Sequence, residues 1–222
     1  MNMTTVEISD EIRVLLPRLA LGCVECEVKI ELQNEALWVD IERICHQISG
    51  GLPLDEISKQ PAIAASRSAY KRCGKDPARY RLSSEALMRR VVKGMELYRI
   101  NNIVDLVNLV SLESGMSIGG YDADKIAGSA ILSIGKEGEP YEAIGRGELN
   151  IAGLPVFRDN VSAFGSPTSD SVRTSVTNET CRFLMVIVGF IGQSETEKVM
   201  RRSVGLLQQY GFAAHIEQRI VV

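Results

Sequence analysis

The sequence predicts an α+β fold in one continuous domain spanning residues 1–222. Three observations carry this. Up to Gly115, apolar residues recur mainly at helical spacing. From Met116 onward, short apolar runs alternate with glycines. No internal repeat, low-complexity tract or proline-rich linker divides the chain. Apolar residues make up 45% and charged residues 24%, which are ordinary globular values and argue against disorder.

The elements follow in order. Ser9-Asp10-Glu11 opens a short helix that Pro17 stops. Residues 18–30 alternate as a strand, with a switch of parity at Cys23 that suggests a bulge. Residues 31–49 place Leu37, Ile41, Ile44 and Ile48 on one helical face, and Gly50-Gly51-Leu52-Pro53 ends it. Residues 60–72 form the next helix, stopping near Cys73-Gly74. Ser83 or Ser84 caps a helix through Lys93, with Gly94 past its end. Asn101 or Asn102 caps another that turns Ile103, Leu106, Val107 and Val110 inward and stops at Gly115. Residues 130–134, 140–144, 154–157 and 182–190 read as strands. Ser194-Glu195-Thr196-Glu197 reads as a capping box that opens a helix ended by Gly211, and 212–222 forms a closing strand.

Charge is unevenly placed. The chain carries a net −3, yet ten of its basic residues and only three acids fall between Arg67 and Arg99. Such a block can face a polyanion, or it can be a solvated helical face with its counterions elsewhere in the fold. No apolar run approaches the roughly 18 residues that span a bilayer. The start, Met1-Asn2-Met3-Thr4-Thr5-Val6-Glu7, has neither a basic nor an apolar leader region, so a cytoplasmic location is expected. Five scattered cysteines do not make a disulfide framework, and reduced thiols suit that compartment.

Few residues declare chemistry. Cys23-Val-Glu-Cys26 is half a zinc or redox motif without a second half, and on a strand its thiols point to opposite faces. Cys45-His46 diverges on a helix. His46 and His215 are the two histidines, and no G-x-S-x-G elbow is present. No P-loop or helix-opening G-x-G-x-x-G occurs, so no cofactor is expected. The loop Gly165-Ser166-Pro167-Thr168-Ser169-Asp170-Ser171, followed by Arg173 and Thr174, offers hydroxyls, a carboxylate and backbone N–H groups to a carboxylate, ester or phosphate. The plain alternative is a surface turn. Gly119-Gly120-Tyr121-Asp122 reads as a second such spot, with close backbone approach at the glycines, a ring at Tyr121 and an amine acceptor at Asp122; a turn after a helix explains it equally. Asn101, Asn102, Asp105 and Asn108 stand along one amphipathic helix, where a solvated face would account for them.

The stretch from Arg99 to Ile126, with Ile100-Asn101-Asn102, Val104-Asp105, Asn108, Gly119-Gly120 and Asp122-Ala-Asp124-Lys125-Ile126, resembles the B3/B4 domain of the phenylalanyl-tRNA synthetase beta chain. Ser83 to Val91 and Gly165 to Asn178 extend the likeness, which covers about residues 60 to 190 and is similar to freestanding B3/B4 proteins. The resemblance implies a mixed or antiparallel sheet core flanked by helices. It implies a cleft reached by the tRNA 3′ end, where the ester of a misattached amino acid is hydrolysed. Such a site needs a side-chain pocket, polar groups at the ester and a positioned water. Carried over, Asn108 with Gly119, Gly120, Tyr121 and Asp122 would line the pocket, and Ser166, Thr168, Ser171 and Arg173 would face it. Ser169, Asp170 and Thr174 are the candidates for holding the water. Two positions depart from the family pattern: Gly119 stands for a histidine and Val186 for a glutamate, which puts tyrosine-specific editing in question.

Three readings follow. The first is an editing-like module acting on mischarged tRNA in trans, with Lys71, Arg72, Lys75, Arg79 and Arg81 meeting phosphates. The second is a non-catalytic binder of a free amino acid or related small molecule. The third is an interaction module without a polar pocket.

Overall fold

A computed structural model describes residues 3–222; Met1 and Asn2 of the N-terminal stretch lie outside the described residues. The order is β1 (Val6–Ile8), α1 (Asp10–Leu15), β2 (Ala20–Glu27), α2 (Glu35–Gly51), α3 (Pro61–Arg72), α4 (Ser83–Val92), α5 (Asn102–Ser114), β3 (Ser117–Asp122), β4 (Ala130–Ile134), β5 (Glu142–Ala143), β6 (Gly147–Glu148), β7 (Pro155–Arg158), β8 (Ala163–Gly165), β9 (Arg182–Gly189), α6 (Gln193–Tyr210) and β10 (Ala214–Val221). One sheet has the order β10-β2-β9-β3 and is antiparallel throughout. A second, β1-β4-β7-β8, is mixed, because β1 runs parallel to β4. The fold is therefore α+β with mixed and antiparallel sheets.

Strand β9 explains the layering. From Phe183 to Gly189 every residue is buried, as a central strand covered on both faces requires. Leu184, Val186 and Val188 join Leu21, Cys23, Val156, Phe157 and Phe164 in a core between the two sheets. Phe183, Met185 and Ile187 face the other way, into a core shared with α2, α5 and α6. Cys23 and Cys26 fall into these two different cores, and burial pushes each thiol up to about 12.

Several local expectations are corrected. Strand β2 pairs with β9 in unbroken register from Ala20 to Glu27, so Cys23 marks no bulge; the mixed parity reflects burial of both faces. The register irregularity lies on β10, between Ala214 and Glu217. Helix α4 starts from Leu82 and not from a serine cap; Ser84 shares a hydrogen bond with Ser117 instead. Helix α6 starts at Gln193 after Gly192, so Ser194 is already inside the helix and its capping box does not form. Of residues 140–144, only Glu142 and Ala143 are extended. Among the described residues, no helix is long and apolar enough to cross a membrane.

Candidate functional site

Helix α5 supplies one wall. The Asn101 side chain caps it by accepting from Val104 N at 2.9 Å. Asn102 is buried, donating to Lys29 O at 2.9 Å and Tyr210 O at 2.8 Å and accepting from Glu31 N at 2.9 Å. Asp105 is buried too, accepting from Trp38 Nε1 at 2.8 Å and Ile100 N at 3.0 Å. These three side chains therefore fasten α5 to its neighbours and do not form a solvated face. Asn108, one turn on, lines a cavity of about 770 Å³.

The cavity lies between α4, α5, the edge of β3 and the loop after β8. Its apolar wall includes Ile103, Val107, Ile118 and Phe183. Ser166, Thr168, Ser169, Asp170 and Gly120 form its polar side. The turn of residues 166–170 is held by its own hydrogen bonds. Ser166 Oγ accepts from Ser169 N at 3.1 Å and donates to Ser169 O at 2.9 Å. The Thr168 hydroxyl shares a hydrogen bond with Tyr70 Oη at 2.9 Å, and Ser83 N donates to Pro167 O at 2.8 Å, tying the turn to α3 and α4.

Asp170 is the carboxylate of this wall. Its Oδ1 accepts from the Tyr121 hydroxyl at 2.9 Å and from Ser166 N at 3.3 Å. Burial pushes the carboxyl up to about 7, against the opposing pull of Tyr121 and the Ser166 and Gly120 amides. Tyr121 is itself fully buried, edge-on to Phe164 with centroids 5.0 Å apart. Its hydroxyl occupies space that two glycines leave open: a Cβ on Gly119 or on Gly165 would come within 2.1 Å of it. Gly119 and Tyr121 are thus part of a strand, β3, and not a turn after a helix.

Gly119 and Val186 are direct cross-strand partners of β3 and β9. Val186 is buried in the core between the sheets. The two positions that depart from the B3/B4 pattern therefore meet at one point, filled here by apolar packing and the Tyr121 ring.

The other sequence candidates divide. Asn108, Gly120, Ser166, Thr168, Ser169 and Asp170 come together at the cavity. Gly119 and Tyr121 stand behind it, shaping Asp170. Asp122 turns away, accepting from Thr180 Oγ1 at 2.9 Å and pairing with Lys125 at 3.3 Å. Ser171 caps the turn of residues 172–174 through Arg173 N. Arg173 pairs with Asp159 at 2.9 Å. Thr174 is buried away from the cavity, with its hydroxyl unpartnered among the described residues.

Of the five basic candidates, Arg81 alone lines the cavity. Arg72 donates to Leu15 O at 3.4 Å, and Lys75 and Arg79 stand over the Tyr80 ring; with Lys71 they are outside the lining. The cations that do line it are Arg81, Arg89, Arg90, Lys93 and Arg146. Arg89, Arg90 and Lys93 belong to the basic block between Arg67 and Arg99 but not to the five phosphate candidates within it. Arg146, on the β5–β6 hairpin, carried no sequence signal. Glu85, in the first turn of α4, is wholly buried, and Arg67 and Arg89 each reach it at 2.9 Å, with Arg81 at 3.9 Å. Among the described residues, no group of three or more His, Cys, Asp or Glu side chains is placed to hold a metal ion.

A half-open pocket with one carboxylate and five cations in its lining, on an α+β scaffold, is a candidate small-ligand site. The B3/4 domain family matches residues 65–208, well over half of the chain, and the protein belongs to that family. The chain is also similar to the crystal structure of an N-terminal fragment of the phenylalanyl-tRNA synthetase beta-subunit from Pyrococcus horikoshii, with 14% sequence identity and a TM-score of 0.49. That similarity covers 99% of this chain and 51% of the other, so the protein spans about half the length of that structure. No curated protein matches the sequence.

Proposed function

We propose that the cavity binds the aminoacyl ester at the 3′ end of a tRNA and hydrolyses it in trans, in the cytoplasm. The observation that carries this reading is Asp170: a carboxylate beside an apolar pocket, positioned by Tyr121 and two backbone amides, with five cations around the opening. Membership of the B3/4 family and the motif around residues 99–126 support it.

The chemistry follows from the geometry. The amino-acid side chain packs against Val107, Ile118 and Phe183. The Arg and Lys side chains at the mouth meet phosphates. As a carboxylate, Asp170 takes a proton from a bound water. The water oxygen bonds to the ester carbon, the acyl–oxygen bond breaks, and the ribose oxygen leaves with the proton that Asp170 returns. A base titrating near neutrality suits that transfer. Ser169 and Asn108, which line the same cavity, hydrogen-bond the ester or the water in this reading.

A second reading, a non-catalytic binder of a free amino acid, is favoured by the apolar Gly119–Val186 contact, which leaves no charged pair at that position. The deciding experiment is deacylation of a panel of correctly charged and mischarged tRNAs, with Asp170→Ala beside the wild type. Release from one mischarged species, lost in the variant, supports the hydrolase. No release from any species, together with a thermal shift by a free amino acid, supports the binder.

A further inference from the structure

The loop between α4 and α5 carries two side chains, Met95 and Tyr98, that neither the core nor the ester site uses. Tyr98 is 70% exposed, although it lines the cavity mouth. The Arg90 guanidinium lies 4.4 Å from its ring centroid. Arg90 is held in turn, since its Nε donates to Glu96 O at 2.6 Å. Beside them, Met95 is 49% and Ile144 47% exposed, and both line the same opening. Exposed apolar and aromatic side chains grouped at a site entrance suit a binding surface.

The chemistry of the rim selects the partner. Lys93, Arg90, Arg81 and Arg146 line the opening; Asp170 is the carboxylate of the lining, and Glu85, outside it, is already engaged by Arg67 and Arg89. A ring stacked by an arginine, set among cations, is suited to a flat, apolar group carried on a polyanion. Unpaired nucleotides have that combination: stacking is tolerant of base identity, and Arg adds a cation–π contribution. A free amino acid has no use for a phosphate-binding rim, and an acidic peptide has no obligatory planar ring.

We propose that Tyr98 and Arg90 form a stacking platform at the cavity mouth for a base of an unpaired RNA 3′ end, positioning the terminal ribose over the pocket. The proposal rests on the reading of the cavity as an aminoacyl-RNA site. It adds the residues that recognise the nucleotide and not the amino acid. The step is one of binding, so it can be measured without turnover.

The test is fluorescence anisotropy with a 5′-labelled single-stranded oligoribonucleotide of roughly eight nucleotides, at fixed salt. It uses the intact protein, Tyr98→Ala, Tyr98→Phe and Arg90→Lys, and repeats each titration with an oligonucleotide abasic at its 3′ end. Tyr98→Ala is expected to weaken binding of the intact RNA about ten-fold. Tyr98→Phe keeps it, Arg90→Lys loses part of it, and the abasic strand binds wild type and Tyr98→Ala alike. Equal affinity of wild type and Tyr98→Ala for the intact RNA overturns the platform while leaving the ester site standing. Equal ten-fold losses on intact and abasic strands also overturn it, because the effect is then not stacking. No binding by the wild type removes the RNA reading of the cavity along with the platform.

Discussion

The Tyr121 hydroxyl donates to Asp170 Oδ1 at 2.9 Å from a space that exists because Gly119 and Gly165 have no Cβ. Three residues from two strands, Gly119 and Tyr121 of β3 and Gly165 of β8, thereby shape the surroundings of one carboxyl. The tie has a direct chemical consequence: it stabilises the charged form of Asp170, which the proposed hydrolysis uses as its base, in opposition to burial.

Removing the hydroxyl should move the titration. In Tyr121→Phe the charged form of Asp170 loses a donor, so its midpoint rises above about 7. Since the base acts as a carboxylate, the rate rises with pH through that midpoint and is flat above it. The pH–rate profile of the variant should therefore be displaced to higher pH, with the plateau reached later. An unmoved profile would show that Asp170 is not the titrating base.

Gly119→Ala should mimic that displacement and also cost stability. The added methyl meets the Tyr121 hydroxyl within 2.1 Å, so the ring must shift away from Asp170. Overpacking of this kind costs about 1–3 kcal/mol. Urea unfolding measures it, and Tyr121→Ala, costly on its own, should combine with Gly119→Ala less than additively because it vacates the space the methyl needs.

Asp170 also sets a pH dependence of stability. Its folded titration point, near 7, lies above the ordinary aspartate value of about 3.9, so the folded state holds a proton that the unfolded state has released. Stability from this group is complete below about pH 4, falls as pH rises to about 7, and is level above. Asp170→Asn removes the titration. Its melting temperature relative to wild type should therefore climb between pH 4 and pH 7. A constant difference would contradict the assignment.

Glu85 is the negative centre under the basic mouth. Replacing it with alanine leaves Arg67, Arg81 and Arg89 facing an uncompensated site. Breaking a buried pair costs about 3 kcal/mol, less here because the arginines are partly solvated. Denaturant unfolding should show a loss of about 2–3 kcal/mol. A change below about 0.5 kcal/mol would place the arginines' support elsewhere.

The rim cations make a prediction about salt. Lys93→Gln and Arg146→Gln should each lower the slope of log affinity for RNA against log salt by roughly 0.7. Lys71→Gln and Arg79→Gln, outside the cavity lining, should leave it nearly unchanged. Equal effects of both sets would mean that RNA follows the earlier basic block instead of the mouth.

Much of this was legible in the sequence, for physical reasons that differ by element. Helix α5 was plain because Asn101 caps it and Gly115 closes it in a left-handed conformation, both local signals. The serine-rich loop and Asp170 were legible as a cluster of polar groups. Strand β3 was not, because Gly119 and Gly120 look like a turn until Tyr121 is seen to cover one of them. The buried roles of Asn102 and Asp105 depend on Lys29, Trp38 and Tyr210, which are distant in sequence. Tyr98 and Arg146 reach the cavity only through the packing of separate loops, and no local pattern marks either.

The most direct measurement is a crystal structure of the protein with a non-hydrolysable 3′-aminoacyl-amide analogue of the terminal adenosine, chosen to match the amino acid released in the deacylation panel. The account predicts the aminoacyl group between Asp170, Asn108 and Phe183, with the adenine toward Tyr98 and Arg90. An analogue bound outside the cavity, or reversed with its base against Phe183, would contradict it.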